Sequence, residues 1–182
     1  MIKIHSQNKG FTLIETLVAI FILTLAIAGG FSTISSGLKS AYLAKNQVTA
    51  FYLAQDAFEY LRNIRDTYKL EDINNGTFSA WSDFQALIDD CTKGKPCIVD
   101  TTNSSGFGSD ITGCVGICSK LKYSTGTHFY NHNTTSNDSI FTRSFYANTI
   151  SDHEIAIVVS VSWKEGIGTK TFTIQNVLSD WQ

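Results

Sequence analysis

The sequence predicts an α+β protein in which a long N-terminal helix packs on a C-terminal antiparallel β-sheet. Three patterns predict this fold class. Residues 11–31 are almost entirely apolar, residues 32–68 place apolar side chains at three- and four-residue steps, and residues 154–178 largely alternate apolar with small or polar side chains. The first two patterns are typical of one continuous helix, and the third is typical of strands that bury one face.

The composition indicates an ordered chain about one domain in size. Only 16% of its 182 residues are charged and 43% are hydrophobic, whereas about 25% of the residues in an average soluble domain are charged. A single proline and an aromatic content of 12% argue against a disordered polypeptide. The net charge of -2 and the pI near 6.0 argue against a nucleic-acid-binding module.

The apolar run of residues 11–31 is long enough to cross a bilayer. Its 21 residues would rise about 32 Å as a helix, which matches the thickness of the hydrocarbon core. The preceding residues carry Lys3 and Lys9 and no acid, and basic flanks stay on the cytoplasmic side of a membrane. We therefore expect the globular domain, residues 69–182, to fold outside the cytoplasm.

Three interpretations of this N-terminal region compete. A secretory signal peptide would be cut after the small residues Ala26-Ile27-Ala28. A plain single-pass anchor would not be cut, and a third kind of leader would be cut before the apolar run. Glu15 favours the third interpretation. A carboxylate in a membrane helix costs roughly 2.5–3.5 kcal/mol and tends to mark a function, and neither of the other interpretations has a use for it.

Residues 9–15, Lys-Gly-Phe-Thr-Leu-Ile-Glu, closely resemble the N-terminal signature of type IV pilins and pseudopilins. Within that family the chain looks most like a minor pilin. The resemblance implies that residues 1–10 are a leader, that prepilin peptidase cleaves between Gly10 and Phe11, and that the same enzyme N-methylates Phe11. It also implies that Glu15, the fifth mature residue, pairs with the N-terminus of a neighbouring subunit.

The same resemblance implies a structural subunit that is not an enzyme and has no catalytic residues. Its partners would be the prepilin peptidase/methyltransferase, other pilin or pseudopilin subunits and an inner-membrane assembly platform. The chain would begin as a single-pass protein of the cytoplasmic (inner) membrane, with its N-terminus inside, and end in an extracellular or periplasmic filament. That filament could belong to a type IV pilus, a type II secretion-like machine or a DNA-uptake pilus. Two alternatives remain: a secreted or anchored extracellular binding or adhesin domain, and an extracellular hydrolase.

The rest of the chain is predicted element by element. Residues 32–68 continue the helix as an amphipathic segment, and the polar stretch 66–76 is predicted to break it. A short helix is expected around Trp81 and Phe84, with Ser79 or Ser82 as its N-cap. Strands are expected at residues 140–147, 154–163 and 169–178.

Four cysteines fall in a loop-rich region, residues 91–127. Cys91 and Cys97 form C-x5-C, and Cys114 and Cys118 form C-x3-C, so neither pair has the spacing of a zinc knuckle or a redox motif. Because an outward-facing domain lies where disulfides persist, two disulfides are favoured over a metal site or free thiols. Three pairings are open, and Cys91–Cys97 with Cys114–Cys118 is preferred because each bridge would close its own loop.

No cofactor or metal site is predicted. His128 and His132 have the spacing of a metal pair on a helix, but Gly126 and the neighbouring asparagines disfavour a helix there. Oxygen-rich loops near the cysteines leave calcium as an alternative, although no EF-hand-type loop is present.

Overall fold

The structure, a computed structural model, describes residues 10–102 and 110–180. All of the predicted leader except Gly10 therefore lies outside the described residues. The chain divides into two compact units, Met1–Asn46 and Gln47–Gln182. The second unit begins inside the predicted amphipathic segment, because the buried face of its helix starts at Ala50.

Two helices and eight strands form the described part of the chain. They are α1 (Leu13–Asn75), α2 (Ala80–Ile88), β1 (Cys97–Val99), β2 (Ile111–Gly113), β3 (Lys122–Tyr123), β4 (Tyr130–Asn131), β5 (Asn137–Asp138), β6 (Phe141–Ser151), β7 (Glu154–Glu165) and β8 (Gly168–Ser179). Five strands make one sheet in the order β2-β1-β6-β7-β8, and β4-β3-β5 make a second. Every strand pairing is antiparallel. The fold class expected from the sequence is therefore confirmed.

Helix α1 packs on the larger sheet through one stripe. Its buried apolar side chains recur at three- and four-residue steps: Ala50, Leu53, Ala54, Ala57, Phe58, Leu61 and Ile64. They share one core with inward-facing residues of β6 and β7, including Phe145, Ile157 and Val161. This period places a narrow apolar face against the sheet and leaves the opposite helix face in water.

The predicted break in the helix at residues 66–76 is wrong, because α1 continues to Asn75. Contacts with the C-terminal end of β8 and the residue after it stabilise residues 66–75 as helix. Arg65 donates to the Ser179 carbonyl at 3.1 Å, and Lys69 lies 3.4 Å from the Asp180 carboxylate. The helix ends where Gly76 adopts a φ of +68°, a left-handed conformation that favours glycine.

Strand β7 is buried on both faces over part of its length, whereas its alternation predicted a half-buried strand. Ile155, Ile157 and Val159 face the core as expected, but Ala156 and Val158 are only 1% and 7% exposed. Both lie on a central strand, where longer cross-strand neighbours stand on either side of them.

The strands expected at residues 154–163 and 169–178 leave a turn of five residues between them, but the β7–β8 turn is shorter. It is a two-residue loop that starts at Gly166 with a φ of +58°, as in a type II′ hairpin.

Helix α2 begins at Ala80 after Ser79, one of the two predicted N-cap residues, but the Ser79 side chain makes no capping hydrogen bond. The cap comes from Asp72 in α1, whose carboxylate accepts hydrogen bonds from the Ala80 N–H at 2.7 Å and the Thr77 hydroxyl at 2.6 Å. The Thr77 hydrogen bond, together with backbone N–H groups, lowers the pKa of Asp72. One buried carboxylate thus fixes the turn between the two helices.

Candidate functional site

The candidate site is the first part of α1, in the N-terminal unit. Every residue from Phe11 to Phe31 is exposed, and the two end residues are 82% and 72% exposed. A helical segment whose apolar side chains are all exposed is typical of one that lies in lipid or against other helices. Of the described helices, only α1 contains a segment long and apolar enough to span a membrane.

The first turn of α1 contains a capping arrangement that the sequence analysis missed. The Glu15 N–H donates to the Thr12 side-chain oxygen at 3.3 Å and to the Thr12 carbonyl at 3.1 Å. Thr12 precedes the helix and Glu15 is its third residue, which is the S/T-x-x-E spacing of a capping box. Glu15 also lies where the positive end of the helix dipole favours a carboxylate. The Thr12 side chain thus caps the helix, and the negative charge of Glu15 favours the same helix end.

Two of the three threonine hydroxyls of this segment donate hydrogen bonds within the helix. Thr16 donates to the Leu13 carbonyl at 2.8 Å, and Thr24 donates to the Phe21 carbonyl at 2.8 Å. Such back-bonding removes an unpaired donor that lipid would penalise. Glu15 is the one ionisable side chain between Phe11 and Phe31, and a carboxylate in apolar surroundings is stable only with a partner.

Gly10 is exposed, and a Cβ built on it meets no atom within 4 Å. Among the described residues, the space around Gly10 would therefore accept a Cβ.

The four cysteines lie in the second unit and form two disulfides. Cys91 pairs with Cys97, and Cys114 pairs with Cys118, which is the pairing that the spacing favours. The two histidines are not on a helix and do not converge. His128 Nδ1 lies 3.1 Å from the Tyr123 hydroxyl, and His132 Nδ1 lies 3.3 Å from the Ser119 hydroxyl.

Among the described residues, no cluster of three or more His, Cys, Asp or Glu side chains could hold a metal ion. Asp100 lies near the disulfide loops, but its oxygens already accept hydrogen bonds from the His132 N–H at 2.8 Å and from the Thr102 N–H at 3.0 Å. Burial raises the pKa of Asp100, but these hydrogen bonds outweigh burial and the pKa falls. This carboxylate therefore organises the protein backbone.

Arg143 is the residue of the second unit whose role the sequence analysis missed. It is 1% exposed, and its guanidinium donates to the Leu53 carbonyl at 3.1 Å, the Val99 carbonyl at 2.9 Å and the Asp56 carboxylate at 2.7 Å. One side chain of β6 thus ties α1 to β1. The available signal was its position midway between Phe141 and Phe145, which puts it on the inward face of the strand.

Comparison with known families bears on the N-terminal segment alone. A family model described as the prokaryotic N-terminal methylation motif matches residues 5–31. No match was found among curated proteins or among solved structures. The motif confirms the resemblance seen in residues 9–15, and it points to structural subunits rather than to enzymes. The apolar helix with this motif also fits a protein anchored in the inner membrane. The chain therefore carries the methylation signature of type IV pilins and pseudopilins, the substrates of prepilin peptidase.

Proposed function

We propose that this chain is a minor pilin or pseudopilin, a structural subunit of a type IV pilus or a type II secretion-like filament. The observation that carries the proposal is the methylation motif at residues 5–31 on a helix whose apolar side chains are uncovered from Phe11 to Phe31. An apolar helix with exposed side chains and one acid in its first turn is what we expect of a segment that leaves the membrane and packs with copies of itself.

In this proposal the chain first lies in the cytoplasmic membrane. Lys3 and Lys9 keep the leader inside, and the second unit faces outward. The outward location agrees with the two disulfides, which persist in oxidising compartments. Cleavage after Gly10 and methylation of Phe11 then produce a new N-terminus that carries a positive charge.

Charge pairing would guide the assembly step. A carboxylate buried among apolar helices is stable only when it has a partner. In this proposal the Glu15 carboxylate of an incoming subunit pairs with the Phe11 ammonium of its neighbour, and this contact sets the stagger between two helices. The surrounding apolar side chains would then bury one another, which supplies most of the favourable free energy.

Replacing Gly10 by alanine tests the processing step. We expect Gly10→Ala to block cleavage and to leave the precursor in the membrane, because the peptidase has to approach the backbone at this residue. The structure offers room for the added methyl group, so misfolding would not explain the result. Immunoblots of membranes would show the precursor and no shorter band.

Gly29→Ala is the matched control, because a Cβ at Gly29 also meets no atom within 4 Å. This variant should be processed like the wild type. Normal shortening of the Gly10→Ala chain would contradict cleavage after Gly10.

A further inference from the structure

The two disulfide loops, with the two residues that follow the second loop, form one surface feature of the second unit, which we call the knuckle: residues 91–97 and 114–120. The Cys114 N–H donates to the Pro96 carbonyl at 2.9 Å, and β1 pairs with β2 with Cys97 opposite Gly113. The loops therefore project from the same end of one strand pair. Each is closed by its own disulfide, so the knuckle is held in shape before it meets any partner.

The knuckle exposes apolar side chains almost completely. Val115 is 98% exposed and Ile117 is 93% exposed. Gly116 lies between them with a φ of +78°, and the flanking cysteines tie both ends of the loop. A five-residue ring of this kind leaves its two apolar side chains little freedom to fold inward. A fixed and fully hydrated apolar pair of this kind is unfavourable until another surface covers it.

The knuckle is also basic, although the whole chain carries a net charge of -2. Lys93, Lys95 and Lys120 are exposed, and residues 91–97 and 114–120 contain no acid. Within the described part of the chain, none of the three ammonium groups forms an ion pair. Two exposed aspartates, at positions 89 and 90, lie between α2 and the knuckle, so residues 89–97 and 114–120 together carry a net charge of +1.

We propose that the knuckle docks on an anionic lipid surface. Val115 and Ile117 enter the boundary between headgroups and acyl chains, while Lys95 and Lys120 lie near the lipid phosphates. Apolar side chains with basic neighbours are the combination that binds peripheral proteins to such membranes. Nucleic acid would attract the lysines but would give the two aliphatic side chains no apolar layer to enter. The proposal goes beyond filament assembly, because it gives the second unit a membrane contact of its own.

Vesicle binding by the full-length chain tests this proposal. The chain is held by its own N-terminal helix in nanodiscs of phosphatidylcholine, and the nanodiscs are immobilised. Vesicles of phosphatidylcholine, with or without phosphatidylglycerol, then flow over them. We expect binding only to vesicles that contain phosphatidylglycerol, and we expect salt to weaken it.

Paired variants separate the two contributions. Val115→Ser with Ile117→Ser should lower the affinity by about tenfold or more, because two apolar side chains no longer enter the lipid. Lys95→Gln with Lys120→Gln should remove most of the salt dependence. The matched control is Ile167→Ser, which changes an equally exposed aliphatic residue in the β7–β8 turn and should bind like the wild type.

Three outcomes would overturn the proposal. The first is equal binding to neutral and anionic vesicles, or no binding to either. The second is an effect of Ile167→Ser as large as that of the knuckle variants. The third is vesicle binding that survives the serine substitutions while duplex DNA competes for it, since that would make the knuckle a general anion site.

Discussion

Replacing Glu15 by valine is expected to leave processing intact and to remove the chain from assembled filaments. The cleavage site lies outside the substitution, so a methylated Phe11 should still form. The incoming helix would lose the carboxylate that pairs with a neighbouring N-terminus. Immunoblots should then find the processed chain in membranes and not in sheared filaments.

A second substitution separates charge pairing from helix capping, because Glu15 stands at the capping-box position three residues after Thr12. Glutamine fits a capping box but carries no charge. If the carboxylate pairs between subunits, Glu15→Gln should fail to assemble as Glu15→Val does. If capping is what matters, Glu15→Gln should assemble normally. Normal incorporation of both variants would remove the intersubunit role of Glu15 altogether.

Replacing Arg143 by methionine is expected to destabilise the second unit by about 3 kcal/mol. Methionine is long and apolar enough to fill much of the space, but the Leu53 and Val99 carbonyls lose their hydrogen bonds from the guanidinium, and a hydrogen bond to a charged group contributes about 1.5–3 kcal/mol. Asp56 adds less to the loss, since its side chain is 51% exposed and water can replace the guanidinium there.

Urea unfolding of the full chain in mild detergent, followed by tryptophan fluorescence, measures this loss. All three tryptophans lie after residue 80, so the signal reports the second unit alone. Arg62→Met is the matched control, because the Arg62 side chain is 51% exposed and, among the described residues, its ion pair is with the exposed Glu59, at 3.4 Å. It should change the stability by less than about 1 kcal/mol. Equal stability of the Arg143 and Arg62 variants would show that Arg143 does not tie α1 to β1.

The sequence predicts the long elements because their periodicity is local. The apolar steps that begin the buried stripe of α1 and the alternation of β7 and β8 are visible without knowing any contact. The end of α1 could not be predicted this way. Residues 66–75 look like a polar break, and they stay helical because Arg65 and Lys69 reach Ser179 and Asp180, more than a hundred residues away in sequence.

Features that depend on tertiary contacts could not be predicted from the sequence, or the sequence only reduced the number of possibilities for them. Arg143 looks like an ordinary charged residue until two carbonyls from distant elements are placed around it. The exposure of Val115 and Ile117 is likewise a property of the folded chain, since an isolated apolar pair in a sequence usually points inward. The N-terminal motif can be recognised without any tertiary contact, because its residues are close together in the sequence and lie along one helix.

The mature N-terminus tests the central claim most directly. The chain is purified from membranes of a cell with a prepilin peptidase, and its intact mass and N-terminal peptide are measured by mass spectrometry. The account predicts a chain that starts at Phe11 and carries one added methyl group on its terminal nitrogen. A chain that starts at Gly29, or one that retains Met1, would contradict it.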